Sequence, residues 1–336
     1  MSKDVLVYGA YGHTGRFVVG ELLRQGLRPV LSGRDRGRLE DLGARLPGLE
    51  VRPAAVHDGE ALAHAVRGAA VVVNCAGPFL DTALPVAAAA VGAGAHYLDV
   101  SAEQPAVQAV YDAHDARSRP LDVAVVPAMA FYGGLADLLA TSVTGAWDRV
   151  DAITVAVGLD RWWPTEGTRT TGHRNTATRL VVRDGRLVPV ADPARVREWG
   201  FPDPLGRQAV VDLPFSEIVV MSRHLPVSEV DTCLSTVALQ DVRDPATPAP
   251  EAVDETGSSA QRFVVEVVAR RGEEERRVSA SGRDIYAVTA PLVVEAARRL
   301  VEGRAKVLGA AAPGEVFDAA DFLDALGPQR LLVRHG

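Results

Sequence analysis

The sequence predicts an α/β protein, with an N-terminal doubly wound parallel sheet over residues 1–145 and a second, α+β domain over 146–283. The remaining residues, 284–336, are expected to form helices that return to the first domain or to the junction. Three observations predict this. Over the first 145 residues short β-branched runs alternate with helical stretches, as in βαβ units. Three glycines, Gly9, Gly12 and Gly15, fall where the first strand gives way to the first helix. From about Trp147 to Arg283 the alternation stops, and longer strand-like runs are separated by polar segments.

Strands are expected at Val5 to Tyr8, Pro29 to Ser32, Val51 to Val56, Val71 to Cys75, His96 to Val100 and Val123 to Val126. Runs such as "AAVVVNCAG" are apolar almost throughout, which suits strands covered by helices on both faces. Helices are expected at His13 to Gln25, Arg36 to Leu46, Glu60 to Arg67, Leu84 to Val91 and Glu103 to Arg117, with Pro85 in a first turn where it loses no hydrogen bond. In the middle of the chain "RVDAITVAVGL" and "STVALQDV" read as strands. "AQRFVVEVVARRGEEERRVSASG" reads as a hairpin turning at Gly272. The Pro/Asp-rich "DVRDPATPAPEAVDETGSS" reads as a loop. In "DIYAVTAPLVVEAARRLVEG", Ile285, Val288, Leu292, Ala296 and Leu300 recur at helical spacing and form one apolar face. "FDAADFLDAL" follows as a second helix packing in the same region, and no internal repeat is present.

The chain has 336 residues, 47% of them hydrophobic, enough for more than one domain. Its formal charge of −7 argues against a nucleic-acid partner. No apolar run is long enough for a membrane helix, and the first strand begins too near Met1 for a signal peptide, so a cytoplasmic protein with no membrane partner is expected. Cys75 and Cys233 lie far apart, and no His/Cys/Asp cluster has ligand spacing, so no metal site is expected. Lysine occurs at Lys3 and Lys306 alone, and none of the six tyrosines has a lysine four residues on. Chemistry needing a central lysine is therefore disfavoured, since arginine does not release its proton. Association as a homodimer is left open.

The stretch "VLVYGAYGHTGRFV" carries the strongest functional signal. Gly9 permits a tight turn, Gly12 admits a pyrophosphate close to the backbone, and Gly15 lets helix and strand close together. His13 and Thr14 then open the helix, whose free N–H groups favour an anion. After the second strand comes "SGRDRGRLEDL", in which Ser32 and Arg34 precede Asp35. Ser32 and Arg34 are read as the clamp for a ribose 2′-phosphate, and the cofactor predicted is NADP(H). The fourth strand ends in "NCAGPF", whose small residues let a cofactor ribose approach. The fifth leads into "HYLDVSAEQ", where Ser101 and Glu103 are expected mainly to cap the next helix.

Together with "AGAHYLDVSAEQ" and "PAMAFYGGLADLLA", these segments resemble the saccharopine dehydrogenase-like, NADP-binding Rossmann proteins, strongly over about the first 140 residues and weakly beyond. That superfamily includes saccharopine dehydrogenases and reductases and trans-acting enoyl reductases. The resemblance implies cofactor contacts from Gly9, Gly12, His13, Thr14, Gly15, Ser32, Arg34, Asn74, Ala76, Gly77 and Pro78. Where the family has Ala-Gly-Phe-(Gly/Asp), this chain reads Ala128-Met129-Ala130-Phe131-Tyr132. Met129 and Tyr132 are expected to narrow the cleft against amino-acid substrates.

The reaction expected is hydride transfer from NADPH to a C=O, C=N or conjugated C=C of a small molecule, which for the polar bonds needs a proton source. The densest polar patch is "RWWPTEGTRTTGHRNTATRL". A helix over Thr168 to Leu180 would place Arg169, His173 and Thr176 on one face beside Thr170 and Arg174. His173 is the first candidate for the proton donor and Tyr132 the second. Arg169, Arg174, Trp163 and Asp99 are the substrate-binding candidates, although the tryptophans Trp162 and Trp163 also suit a domain interface. Asp137 is read as a helix residue bonded to backbone, and His57, His64, His114, His224 and His335 have no partner pattern. The competing reading is a non-catalytic NADP(H) sensor or scaffold.

Overall fold

The computed structural model describes residues 4–115, 122–145 and 147–336. Its first half runs β1 (Asp4–Tyr8), α1 (His13–Arg24), β2 (Arg28–Gly33), α2 (Arg36–Arg45), β3 (Val51–Pro53), α3 (Gly59–Val66), β4 (Val71–Asn74), α4 (Phe79–Gly92), β5 (His96–Asp99), α5 (Gln104–Ala113), β6 (Ala124–Val126) and α6 (Ala136–Thr144). There follow β7 (Val150–Leu159), α7 (Glu166–Arg174), β8 (Leu180–Arg183), β9 (Arg186–Pro189), β10 (Val196–Gly200), β11 (Arg207–Asp212), α8 (Glu217–His224), β12 (Val227–Ser235) and α9 (Thr236–Arg243). The chain ends with β13 (Arg262–Arg271), β14 (Glu274–Arg283), α10 (Thr289–Val301), β15 (Gly309–Ala310), α11 (Pro313–Val316), α12 (Ala319–Leu326) and β16 (Leu332–His335).

The first sheet is parallel throughout, in the order β15-β6-β5-β4-β1-β2-β3. Strand order reverses between β1 and β4, where the carboxyl ends of the strands leave the crevice that binds ligands in such sheets. The second sheet is mixed, in the order β10-β11-β12-β7-β13-β14-β16, with β8 and β9 attached beside β12. The last residues serve both sheets, β15 extending the first and β16 pairing with β14 in the second. Helix α10 lies against α1 with its whole predicted apolar face buried. One apolar core runs from Val7 and Leu31 through Leu138 and Leu139 of α6 to Val155 and Val267 of the second sheet. No helix among the described residues is long and apolar enough to cross a membrane.

Several elements depart from the sequence-based expectations. Helix α4 begins at Phe79, not Leu84, because the Glu103 carboxylate accepts the Phe79 N–H at 2.7 Å, so Pro85 is interior to the helix. Residues Thr236–Arg243 are helical, not extended. The strand is the preceding Val227–Ser235, and Ala238, Leu239 and Val242 pack inward at helical spacing. The polar patch is helical only over Glu166–Arg174, started by the Thr165 hydroxyl accepting the Thr168 N–H at 3.1 Å, and Thr176 lies beyond it. Met129 is fully buried in the core and does not narrow the cleft. The predicted end of the fifth helix, Arg117, lies outside the described residues.

Candidate functional site

The site begins at the turn after β1. Gly9 has φ +83°, and its N–H donates to the Ser32 carbonyl at 2.8 Å. A Cβ on Gly9 would come within 3.0 Å of the Ala76 backbone nitrogen, which locks the turn against the loop after β4. A Cβ on Gly15 would strike the Gly9 carbonyl oxygen, so this glycine sets how closely α1 approaches the turn. Gly12 is the N-cap of α1 and carries no side-chain cap, which leaves the N–H groups of the first turn facing the cleft. His13 stands beside them, its ring edge-on to Phe17 and to Tyr286 with centroids 5.2 Å away in each case. Its buried Nε2 has no hydrogen-bond partner among the described residues. Burial chiefly, helped by Arg16 and opposed by Asp284, pushes the His13 pKa down, so the ring is neutral at neutral pH.

At the end of β2 the two predicted phosphate ligands part company. Arg34 is exposed and lines the cleft. Ser32 is fully buried and its hydroxyl donates to the Arg52 carbonyl at 2.7 Å, so it holds β2 to β3 and does not face the cofactor crevice. Asp35, the carboxylate that an NAD site would use, instead caps α2 by accepting the Arg38 N–H at 3.0 Å. Tyr11 reaches back over Gly33, accepts the Asp35 N–H at 3.2 Å, and carries the Arg38 guanidinium 4.6 Å above its ring. An uncapped helix start, a glycine cradle and a free arginine at this position fit NADP(H).

The loop after β4 shows the same division. Ala76, Gly77 and Pro78 line the cleft. Asn74 is buried, accepting the Ala76 N–H at 3.0 Å and donating to Thr82 and Tyr97, so it shapes the loop from behind. Asp99 is likewise a hub and not a substrate ligand. It is wholly buried and accepts hydrogen bonds from Tyr97 Oη (2.9 Å), Ser101 N (3.0 Å) and Ala128 N (2.8 Å). Burial raises its pKa to about 6, against the pull of those three donors.

The far end of the cleft is aromatic. After β6 the chain makes a wide turn over Phe131–Leu135, with Gly133 at φ +92°. A Cβ there would meet Ala128 at 2.7 Å and Ser216 Oγ at 2.8 Å. That turn presents Tyr132, which stacks on Phe215 at 4.1 Å and lies 5.7 Å from Trp162, its buried hydroxyl without a hydrogen-bond partner among the described residues. Burial, with Tyr286 and Glu217 nearby, raises the Tyr132 pKa well above the tyrosine value, while Arg179 works against this. Tyr286 enters from the turn after β14, where Asp284 accepts the N–H groups of Tyr286 and Ala287. Its hydroxyl accepts from Trp162 Nε1 at 2.9 Å and shares a 2.8 Å hydrogen bond with Thr168 Oγ1.

Helix α7 spans the crevice, with Thr171 packed over Gly77. His173 lies on its exposed side at the rim of the cleft. The predicted substrate ligands around it are committed elsewhere. Arg169 donates to the carbonyls of Asp244 and Thr247, and Arg174 pairs bidentately with Asp81 of α4. Trp163 lies under the Arg161 guanidinium and outside the cleft lining. Asp137 accepts the Gly314 N–H at 2.7 Å, as a backbone-bonded helix residue should, and also meets His224 Nε2 at 2.6 Å. Phe215, Tyr286 and Arg179 are the site residues sequence reasoning missed, and Trp162, read chiefly as a domain-interface residue, joins them in the cleft. They lie on separate elements, so no local motif joins them. The cleft is continuous from Arg34 to Arg179, with a volume of about 1220 Å³.

Residues 5–120 match the family described as "Saccharopine dehydrogenase NADP binding domain". The lipid droplet localized protein of Caenorhabditis elegans is 32% identical over 147 residues, covering 40% of this chain and 34% of that protein. The match thus spans about a third of that relative's length. Among solved structures, the apo histidine-tagged saccharopine dehydrogenase (L-Glu forming) from Saccharomyces cerevisiae covers 100% of both chains with a TM-score of 0.67 at 12% identity, a likeness of fold.

Proposed function

We propose, on the premise that residues 5–120 are a saccharopine dehydrogenase-type NADP-binding domain, that the protein is an NADPH-dependent reductase of a small molecule carrying a C=O, C=N or conjugated C=C. The observation that carries this reading is the single cleft. The glycine turn and Arg34 stand at one end, and an aromatic compartment holding an unpartnered tyrosine hydroxyl at the other. The residues divide the work as 1–145 for the cofactor, 146–283 for the substrate and 284–336 for closing the junction.

NADPH supplies the hydride when bound. The first-turn N–H groups of α1 would hold the pyrophosphate, and Arg34, with Arg38 one turn on, would take the 2′-phosphate. Phe215, Tyr132 and Trp162 form a stacked aromatic column that excludes water from the reacting end. Tyr132 keeps its proton on Oη across the working pH range, because burial disfavours the phenolate. It therefore acts as a hydrogen-bond donor to the substrate heteroatom and yields its proton as negative charge develops there. This burial and lack of a partner move the role from His173, which is solvated, to Tyr132. Tyr286 is a positioning residue, tied by Trp162 and Thr168.

The test is binding and turnover in Tyr132→Phe. The reading expects NADPH affinity retained and turnover of an accepted carbonyl substrate lost by about 10²-fold or more. Full turnover in that variant assigns the proton elsewhere.

A further inference from the structure

The aromatic stack ends at a guanidinium that makes no ion pair among the described residues. Arg179, between α7 and β8, lays its guanidinium 4.9 Å over the Phe215 ring and donates from Nη1 to the Pro214 carbonyl at 2.6 Å. Among the described residues it has no ion-pair partner within 4.0 Å. Its nearby carboxylate, Glu217, is buried and turned to the backbone, with Oε1 accepting the Phe215 N–H at 2.8 Å. Arg243, at the end of α9, lines the same cleft, and among the described residues it too has neither ion pair nor hydrogen bond. The two charges act on each other, and burial together with that repulsion lowers the Arg179 pKa, which Glu217 and Tyr132 partly offset. The other arginines at this end are committed, Arg169 to two carbonyls and Arg174 to Asp81. The apolar residues Leu213, Leu239, Val242 and Pro245 line the same cleft.

Two guanidiniums lining one cleft favour an anion there, and a guanidinium fork with N–H groups left over matches the two oxygens of a carboxylate. We infer that Arg179 and Arg243 form an anion subsite, and that the substrate is an apolar molecule bearing a carboxylate, laid along the Phe215–Tyr132–Trp162 wall. The carboxylate lies at Arg179, and the reducible bond lies toward Tyr132. Only that second placement rests on the reductase reading; the subsite stands on the arginines themselves.

Calorimetric titration of the NADP⁺-saturated protein, and of the protein alone, with octanoate, methyl octanoate and octanol tests this. Octanoate is expected to bind about ten- to a hundred-fold more tightly than its ester or the alcohol, by a margin that shrinks with added salt. Arg179→Gln and the surface variant Arg243→Gln are each expected to remove most of that margin while leaving NADPH binding unchanged. Ester and acid binding equally to the native protein, or octanoate affinity unchanged in both variants, overturns the subsite. Selectivity for octanoate in a protein that does not bind NADPH upholds the subsite and removes the reductase reading alone.

Discussion

Replacing Asp99 by Asn separates a structural hub from a substrate ligand. The native carboxylate takes two backbone N–H groups on one oxygen and the Tyr97 hydroxyl on the other. Asparagine keeps an oxygen for the two N–H groups but turns an NH₂ toward Tyr97, whose hydroxyl already receives Asn74 Nδ2 at 3.3 Å. One buried polar hydrogen is then orphaned, at a cost of about 1–3 kcal/mol. Against this stands the native cost of burying a charge. The folded pKa is about 6 and the ordinary value 3.8. A carboxyl whose pKa is raised on folding stabilises the native state fully below the unfolded pKa, and that contribution is lost as pH climbs through the folded one. At about 1.4 kcal/mol per tenfold the full change is roughly 3 kcal/mol, of which about 2 kcal/mol falls between about pH 4.5 and 7.5. Urea midpoints of native and Asp99→Asn protein across that range are therefore expected to converge as pH rises, with the variant clearly weaker in acid. A stability difference that stays flat with pH refutes the buried titration. An unchanged stability with impaired substrate binding would restore Asp99 as a ligand.

Gly15→Ala is expected to cost about 1–3 kcal/mol by thermal or urea unfolding, because the new Cβ meets the Gly9 carbonyl and Ala10 Cα in a backbone that cannot yield cheaply. NADPH affinity should fall with it. Arg174→Ala removes a half-exposed ion pair to Asp81 and is expected to change stability by no more than about 1 kcal/mol. A large rise in KM with unchanged stability would show Arg174 contacting substrate after all. Tyr132→Phe should leave NADPH fluorescence titrations as in the native protein while single-turnover reduction is lost.

The cofactor half was legible because its chemistry is local. Gly9, Gly12 and Gly15 sit within one turn, and their spacing encodes the backbone constraint that a Cβ at Gly9 or Gly15 would violate. Arg34 stayed legible because it remains at the surface after a strand end. Ser32 and Asn74 end their strands beside the crevice, but each commits its side chain to the protein, Ser32 to the Arg52 carbonyl and Asn74 to Ala76, Thr82 and Tyr97, and a pattern of residues does not show which strand-end side chains are taken up in this way. The substrate half was illegible where side chains choose partners far away in sequence. Arg169 finds the carbonyls of Asp244 and Thr247, and Trp162 finds Tyr286, more than a hundred residues on. "STVALQDV" misled because its apolar residues satisfy both periods, and the length of β12 before it decided the outcome.

The central claim is that the α1 turn and Arg34 hold a phosphorylated dinucleotide. Fluorescence titration of the purified protein with NADPH and NADH, repeated on Arg34→Ala, tests it most directly. An NADPH preference of about tenfold or more, collapsing in the variant with NADH affinity unmoved, is the expected result. Equal affinity for the two dinucleotides in the native protein, or binding of neither, contradicts it.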